Sequence, residues 1–187
     1  MREVAAHLII TLDGVVTFEA VHGAVLRMSN GKVATDMADQ LTQEDAMLLG
    51  RKTYEAWSPF WPTSKIQPFA DHINNVRKYV VTNSLKAAPW GTFGNATVVS
   101  GDLRKSILKL KSQRGKTIGV HGSPSLVRSL IQSNLVDRLH LMVFPIVAGA
   151  GSRLFEGEFA SQKMKVVDVI KNQNGVLGIT YRPTGHL

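Results

Sequence analysis

Four short stretches of this 187-residue chain carry residue types and spacings suited to ligand chemistry. Gly50-Arg51-Lys52-Thr53 follows the apolar run Met47-Leu48-Leu49 and opens a helix with two cations. A helix N-terminus carries partial positive charge and prefers Asp or Glu beside it. Natural sequences break such local rules chiefly where a site requires it. Two cations and a hydroxyl, added to the free N–H groups of a first helical turn, make an anion receptor, so this stretch predicts a phosphate-bearing ligand. Thr82-Asn83-Ser84 places three hydrogen-bonding side chains directly after an apolar strand. In His121-Gly122-Ser123-Pro124-Ser125, Gly122 admits close approach of a ligand and Pro124 suits a first helical turn. Ser123 is then the expected N-cap, with free N–H groups beside it for a pyrophosphate. Thr11-Leu12-Asp13-Gly14 closes the first strand.

The elements that must position these groups follow from hydrophobic patterning. Strands are expected at 4–11, 46–49, 78–82, 96–99, 117–120 and 138–145, with a last pair at 164–170 and 176–181. Asn172-Gln173-Asn174-Gly175 between that pair is a hairpin signal. Helices are expected at 34–44, where Met37 and Leu41 share a face, from Arg51 to the Ser58-Pro59 stop, through Leu103, Ile107, Leu108 and Leu110, and at 125–132. The glycine-containing segment 23–32 reads as a loop, a candidate cover for a substrate. Trp57, Phe60 and Trp61 form an apolar wall near the site or part of the core. Strands alternating with helices and closed by a hairpin predict an α/β fold, a mostly parallel sheet with an antiparallel edge. Ligands of such sheets sit at the carboxyl ends of the strands.

Each stretch also has a plainer reading: solvated cations for Arg51 and Lys52, a turn for Thr82-Asn83-Ser84, a well-capped helix at Ser123-Pro124, a turn at Asp13-Gly14. The site reading rests on all four falling at strand ends of one sheet. Two helix N-termini and a polar strand end suit the separated phosphates of one dinucleotide. Other motifs fail. Gly115-Lys116-Thr117 mimics the end of a phosphate loop, but position 110 is Leu and a strand follows. Gly149-Ala150-Gly151 starts a dinucleotide fingerprint, yet position 154 is Leu. No serine sits in a G-x-S-x-G elbow. The six histidines lack metal-ligand spacing, so no metal is expected. Arg104, Lys105, Lys109, Lys111, Arg114 and Lys116 read as the solvated face of a helix.

Composition bounds the rest. Hydrophobic residues at 44% and charged residues at 19% are those of a folded chain, here expected as a single domain over 1–187. A formal charge of +8 favours phosphorylated partners, nucleotide or nucleic acid. Zero cysteines exclude disulfides, thiolate metal sites and thiol nucleophiles. No apolar run approaches the roughly 20 residues of a membrane span. The segment 4–10 is short, carries His7 and lacks a cleavage site, so a cytoplasmic protein is expected.

These residues, in this order, resemble the dihydrofolate reductase-like superfamily. Within it they are similar to the group holding the reductase (C-terminal) domain of bifunctional riboflavin-biosynthesis proteins and stand-alone bacterial reductase-like proteins. Thr11-Leu12-Asp13-Gly14 is similar to that group's S-L-D-G, and Leu48-Leu49-Gly50-Arg51-Lys52-Thr53-Tyr54-Glu55 to its L-L-G-R-x-T-Y-E. Val136-Asp137-Arg138-Leu139 through Pro145 to Gly151, with Leu154-Phe155, resembles its V-D-E-L … P-x-x-x-G-x-G … L-F ending. The resemblance implies a three-layer sandwich, NADPH as cofactor, a homodimer, and hydride transfer to a small heteroaromatic, pterin-like or carbonyl substrate. It implies Gly50, Arg51, Lys52 and Thr53 around the adenosine-side phosphates, and Thr82, Asn83 and Ser84 near the 2′-phosphate. Gly122, Ser123, Pro124, Ser125 and Leu126 would hold the pyrophosphate, with Thr11 and Gly149 nearer the nicotinamide. The cations at 51 and 52 favour NADP over NAD. His121 stands where riboflavin-pathway reductases carry a substrate-binding Glu, Arg138 replaces an acidic residue, and no zinc-binding deaminase domain is expected. Asp36 lies in the segment that carries a pterin-binding carboxylate in dihydrofolate reductases, with Asp39 nearby. Asp13, Asp36 and His121 are the acid–base candidates. An NADPH-binding sensor or scaffold and a basic nucleic-acid-binding protein are the alternatives.

Overall fold

Val4-Ala5-Ala6 and Met47-Leu48-Leu49 are buried without alternation, as in strands covered on both faces. They belong to one eight-stranded sheet in a computed structural model that describes residues 1–16, Gly23, Arg27, Met28 and 32–186. Strands β1 (Val4–Thr11), β2 (Glu44–Gly50), β3 (Arg77–Val81), β4 (Ala96–Val99), β5 (Thr117–Val120), β6 (Arg138–Phe144), β7 (Gln162–Lys171) and β8 (Leu177–His186) lie in the order β4-β3-β2-β5-β1-β6-β8-β7. The first six of that order run parallel. β8 is antiparallel to β6, and β7 to β8. The turn between β7 and β8 needs Gly175, whose φ is +83.

Helices α1 (Lys32–Thr42), α2 (Arg51–Trp57), α3 (Phe69–Asn75), α4 (Leu103–Ser112) and α5 (Pro124–Gln132) cover the two faces. On one face Ile107 and Leu110 of α4 and Val127, Leu130 and Ile131 of α5 pack on Val4, Ala6, Leu48, Ile118 and Val120. On the other, Tyr54 of α2 and Ile73 of α3 meet Met47, Leu49 and Trp90, while Val33 of α1 meets Met142, Phe144 and Val176. The three-layer α/β sandwich with a C-terminal antiparallel hairpin is the predicted fold. Strand alternation decides which side chains can meet. Ile118 and Val120 of β5 enter the α4–α5 core, so Gly119 and His121 face the α1–α2 side.

Four local expectations change. The helix predicted at 34–44 stops at Thr42, and Glu44 opens β2 with only 4% of its surface exposed. Its burial comes from polar partners, which patterning does not register. In segment 23–32, read as a loop, Gly23, Arg27 and Met28 are helical and Lys32 begins α1; the remainder, and with it the substrate-cover expectation, lies outside the described residues. Helix α3 escaped patterning because only three of its seven residues, Phe69, Ala70 and Ile73, are apolar. Tertiary bonds hold it: the fully buried Lys78 donates to the carbonyls of Asn74 and Val76 at its C-terminus. The basic α4 segment is not wholly a solvated face, since Lys111 is buried and ion-paired with Asp137, and Arg104 donates to the Ser133 carbonyl. Leu108 is the exposed member of its apolar set, at 41%.

Candidate functional site

A cleft of about 530 Å³ opens at the carboxyl ends of β2 and β3, beside the N-termini of α4 and α5. Gly50, Arg51, Lys52, Thr82, Asn83, Ser84, Ser123, Ser125 and Leu126 line it, with Val81, Leu103 and Ser129 as further walls. Three of the four stretches singled out in the sequence therefore share one cavity.

Its floor is a close contact between two loops. The Gly50 N–H donates to the Gly122 carbonyl at 2.8 Å. A Cβ at Gly50 would collide with the Ser123 hydroxyl and lie 2.8 Å from the Ser123 nitrogen. A Cβ at Gly122, where φ is +108, would lie 2.7 Å from Thr53 Oγ1. Thr53 thus props the loop from behind, and Pro124 begins α5. Ser123 occupies the N-cap position but its side chain makes no capping bond; its hydroxyl meets that of Ser125 at 2.9 Å. The expected side-chain cap is absent because the two serines bond each other at the cleft wall. The Gly122–Ser123 peptide is cis. Thr82 Oγ1 lies 3.1 Å from Ser84 Oγ, and Asn83 Oδ1 accepts from the Gly101 N–H at 2.9 Å. Arg51 is bound to Glu55, one turn on, through two contacts of 2.8 and 2.9 Å. Lys52 has no ion-pair partner among the described residues.

Thr11, Asp13 and Gly149 stand apart from the cleft walls, at the ends of β1 and β6. Asp13 accepts from Thr11 Oγ1 at 2.7 Å and from the N–H groups of Ala148 and Gly149 at 3.0 and 2.9 Å. The Thr11 bond above all, with the backbone bonds, lowers its pKa to about 2. Its oxygens are taken up by these bonds, so Asp13 ties the 148–149 loop to the end of β1.

The opposite face of the sheet holds a second constellation. Glu44, at the start of β2, has a side chain fully withdrawn from solvent, and both its oxygens meet His121 Nε2, at 3.1 and 2.9 Å. His7 Nε2 of β1 lies 3.1 Å from Glu44 Oε1. The His7 ring stacks on His121 at 5.2 Å and on His140 of β6 at 4.6 Å. His140 Nδ1 meets Thr180 Oγ1 of β8 at 2.8 Å, and His7 Nδ1 meets Gln40 of α1 at 2.9 Å. Burial would raise the Glu44 pKa, but the two histidines outweigh it and hold it at about 2. His140, desolvated and beside His7 and Arg138, is pushed down to about 3. Asp36 lies one turn before Gln40 with Oδ2 buried, so it faces the same layer; Asp39 is exposed. Trp57 covers His121 at 6.1 Å and Trp61 packs edge-on to Trp57, whereas Phe60 is half exposed.

Sequence patterning missed Glu44, His7, His140 and Gln40. They meet only through strand register, which pairs His7 with His140 and His140 with Thr180. No spacing along the chain encodes that. Among the described residues no group of three or more His, Cys, Asp or Glu is arranged to hold a metal.

Comparison with known proteins bears on this geometry. The family model for the RibD C-terminal domain matches residues 2–177. The chain is 27% identical to the uncharacterized Bacillus subtilis protein YyaP over 191 residues, covering 98% of this chain and 96% of that protein. Its fold is similar to that of a pyrimidine reductase-like protein from Corynebacterium diphtheriae, with a TM-score of 0.70 at 18% identity over 97% of this chain and 92% of that one. It is also similar to that of Enterococcus faecalis dihydrofolate reductase complexed with NADP(H), with a TM-score of 0.61 at 16% identity over 97% and 96% of the two chains.

Proposed function

The chain belongs to the RibD C-terminal domain family, and from that premise we propose that it is an NADPH-dependent reductase that delivers hydride to a small heteroaromatic, pterin-like or carbonyl substrate. The observation that carries the proposal is the cleft that gathers Gly50–Lys52, Thr82–Ser84 and Ser123–Leu126 from three separate loops. The residues fit a dinucleotide. Gly50 and Gly122 let the two loops close on each other, since a side chain at either would collide with Ser123 or Thr53, and this brings the N-termini of α2 and α5 to one cleft where a pyrophosphate can be met.

In this reading Gly122, Ser123, Pro124, Ser125 and Leu126 hold the pyrophosphate, and Gly50, Arg51, Lys52 and Thr53 surround the adenosine-side phosphates. Thr82, Asn83 and Ser84 meet the 2′-phosphate. Thr11 and Gly149, tied together by Asp13, border the nicotinamide. The bound dihydronicotinamide supplies hydride, and the protein supplies orientation and electrostatics. His121 provides the proton, with Trp57 beside its ring and Trp61 packed edge-on to Trp57; Asp36 lies on the same face of the sheet. The exposed Val166, Val167 and Val169 on the edge strand β7 favour pairing of two copies into a homodimer. No described helix is long and apolar enough to cross a membrane, and a cysteine-free chain suits work in the cytoplasm.

Fluorescence titration with NADPH and NADH tests the cofactor assignment; saturable binding with preference for NADPH is expected, and its absence or reversal sinks the assignment. Loss of NADPH absorbance in the presence of pterins, pyrimidine flavin precursors or quinones tests catalysis. Tight NADPH binding with no oxidation by any of them favours a cofactor-binding sensor instead.

A further inference from the structure

Glu44 is a carboxylate with 0% of its side chain exposed, placed where the sequence offers only a polar helix tail. Burying a charge is costly unless partners are organised around it, and here the fold makes room for it deliberately. Position 119 on the neighbouring strand is glycine, and a Cβ there would fall inside the Glu44 carboxyl group. The side chain therefore runs across β5 through the space a Gly119 side chain would fill, and ends on His121.

We propose that Glu44 is the positioning residue for His121: its carboxylate accepts the Nε2 proton, fixes the plane of the ring, and leaves Nδ1 as the atom that exchanges a proton with the substrate. The proposal deepens the reductase reading and rests on it for the identity of that substrate. Three observations carry it. Both Glu44 oxygens lie on the Nε2 side, at 2.9 and 3.1 Å. Nδ1 has no hydrogen-bond partner among the described residues and is not sealed from solvent. Finally, the ring is clamped by stacking on His7 at 5.2 Å and by Trp57 at 6.1 Å, so the pair sets one orientation. A buried carboxylate that fixes the tautomer of a catalytic imidazole is a general solution to proton transfer.

The step balances as follows. Reduction of a C=N or C=O bond takes one hydride from the dihydronicotinamide and one proton from His121 Nδ1. The Nε2–H bond is untouched and stays on Glu44, so the ring changes from imidazolium to neutral imidazole. Solvent returns the proton to Nδ1 along the open side of the ring. Glu44 faces the Nε2–H in both ring states, and His140, held neutral by burial, adds no second positive charge to the stack. Among the described residues, His72 of α3 is a further imidazole close enough to feel both Glu44 and His121.

The test is the ¹⁵N spectrum of the full-length protein labelled at histidine, with His121 assigned by its absence in His121→Gln. The wild-type neutral ring is expected as the Nε2–H tautomer. In Glu44→Gln an amide that can donate replaces a carboxylate that only accepts, and the fixed tautomer is expected to give way to Nδ1–H or a mixture. Glu44→Asp, which keeps the charge, is expected to restore Nε2–H. A wild-type ring in the Nδ1–H form overturns the proposal without any variant, as does an unchanged tautomer in a folded Glu44→Gln. NADPH titration of the wild type is the separate arm: its failure counts against the reductase reading, whereas the tautomer result counts only for or against Glu44.

Discussion

The cleft at the carboxyl ends of the strands and the histidine row across the middle of the other face are built from different kinds of residue. The cleft is lined by contiguous loop residues, Gly50–Lys52, Thr82–Ser84 and Ser123–Leu126, most of them glycine or polar. The histidine row on the other face takes single residues from β2, β1, β6 and β8 and from the loop after β5, and has almost no backbone component. Both regions use glycine to interlock: at the cleft, Ser123 and Thr53 fill the space that side chains at Gly50 and Gly122 would take, which brings two loops together. In the row, the Glu44 carboxylate fills the space beside Gly119 and brings strands together. A ligand with fixed phosphates can be met by local motifs, whereas an orientation-sensitive proton transfer requires register among distant strands.

The largest effect expected from breaking this contrast is on the row. Gly119→Val puts a branched side chain into the volume of the Glu44 carboxyl group. Either the strand shifts or a buried charge loses both imidazoles, for a loss of about 3 kcal/mol or more in urea unfolding. A loss below about 1 kcal/mol would mean that the carboxylate relocates freely and that the row is not a fixed assembly.

Acid should dismantle the row in two stages. His140 has its folded pKa depressed from 6.5 to about 3 by burial first, then by His7 and Arg138. The unfolded chain therefore binds a proton that the native state refuses, and stability falls as pH drops below 6.5. Glu44, depressed from 4.5 to about 2, contributes stability that is present above 4.5 and lost as pH falls toward 2. Between pH 6.5 and 4.5 the His140 share is on the order of 3 kcal/mol. His140→Gln should flatten that upper segment of the stability–pH curve and leave the lower one. An unaltered upper segment would assign the acid sensitivity to another group.

The same contrast explains what the sequence made legible. The parallel sheet, the hairpin at Asn172–Gly175 and the cleft loops could be read because each depends on residues adjacent in the chain. Asn-Gly sets a turn, Pro124 starts a helix, and Gly50-Arg51-Lys52 marks a strand-to-helix junction. His7 and His140 read as isolated structural histidines because they are far apart along the chain and only the β1–β6 register joins them. Glu44 was taken for helix because Thr42-Gln43-Glu44-Asp45 is polar throughout, and its burial depends on imidazoles from other strands. Asp13 reads from the sequence as a turn residue or an acid–base candidate, and only the fold shows its oxygens bonded to Thr11, Ala148 and Gly149.

The smallest expected effect sharpens the cleft side of the comparison. Arg51 began as a cation out of place at a helix N-terminus, yet it is tied to Glu55 by two bonds, and both side chains are nearly half exposed. That exposure limits its worth, since salt and water screen an open pair. The pair nonetheless holds the guanidinium on the cleft wall beside Lys52. If the two cations read the 2′-phosphate, Arg51→Ala should weaken NADPH about tenfold, near 1.4 kcal/mol, and leave NADH within about twofold. The difference should shrink as salt rises. Equal losses for both nucleotides would move the 2′-phosphate away from α2 and leave Thr82, Asn83 and Ser84 to recognise it without a cation. Local motifs would then have located the cleft while misassigning the charge that discriminates within it.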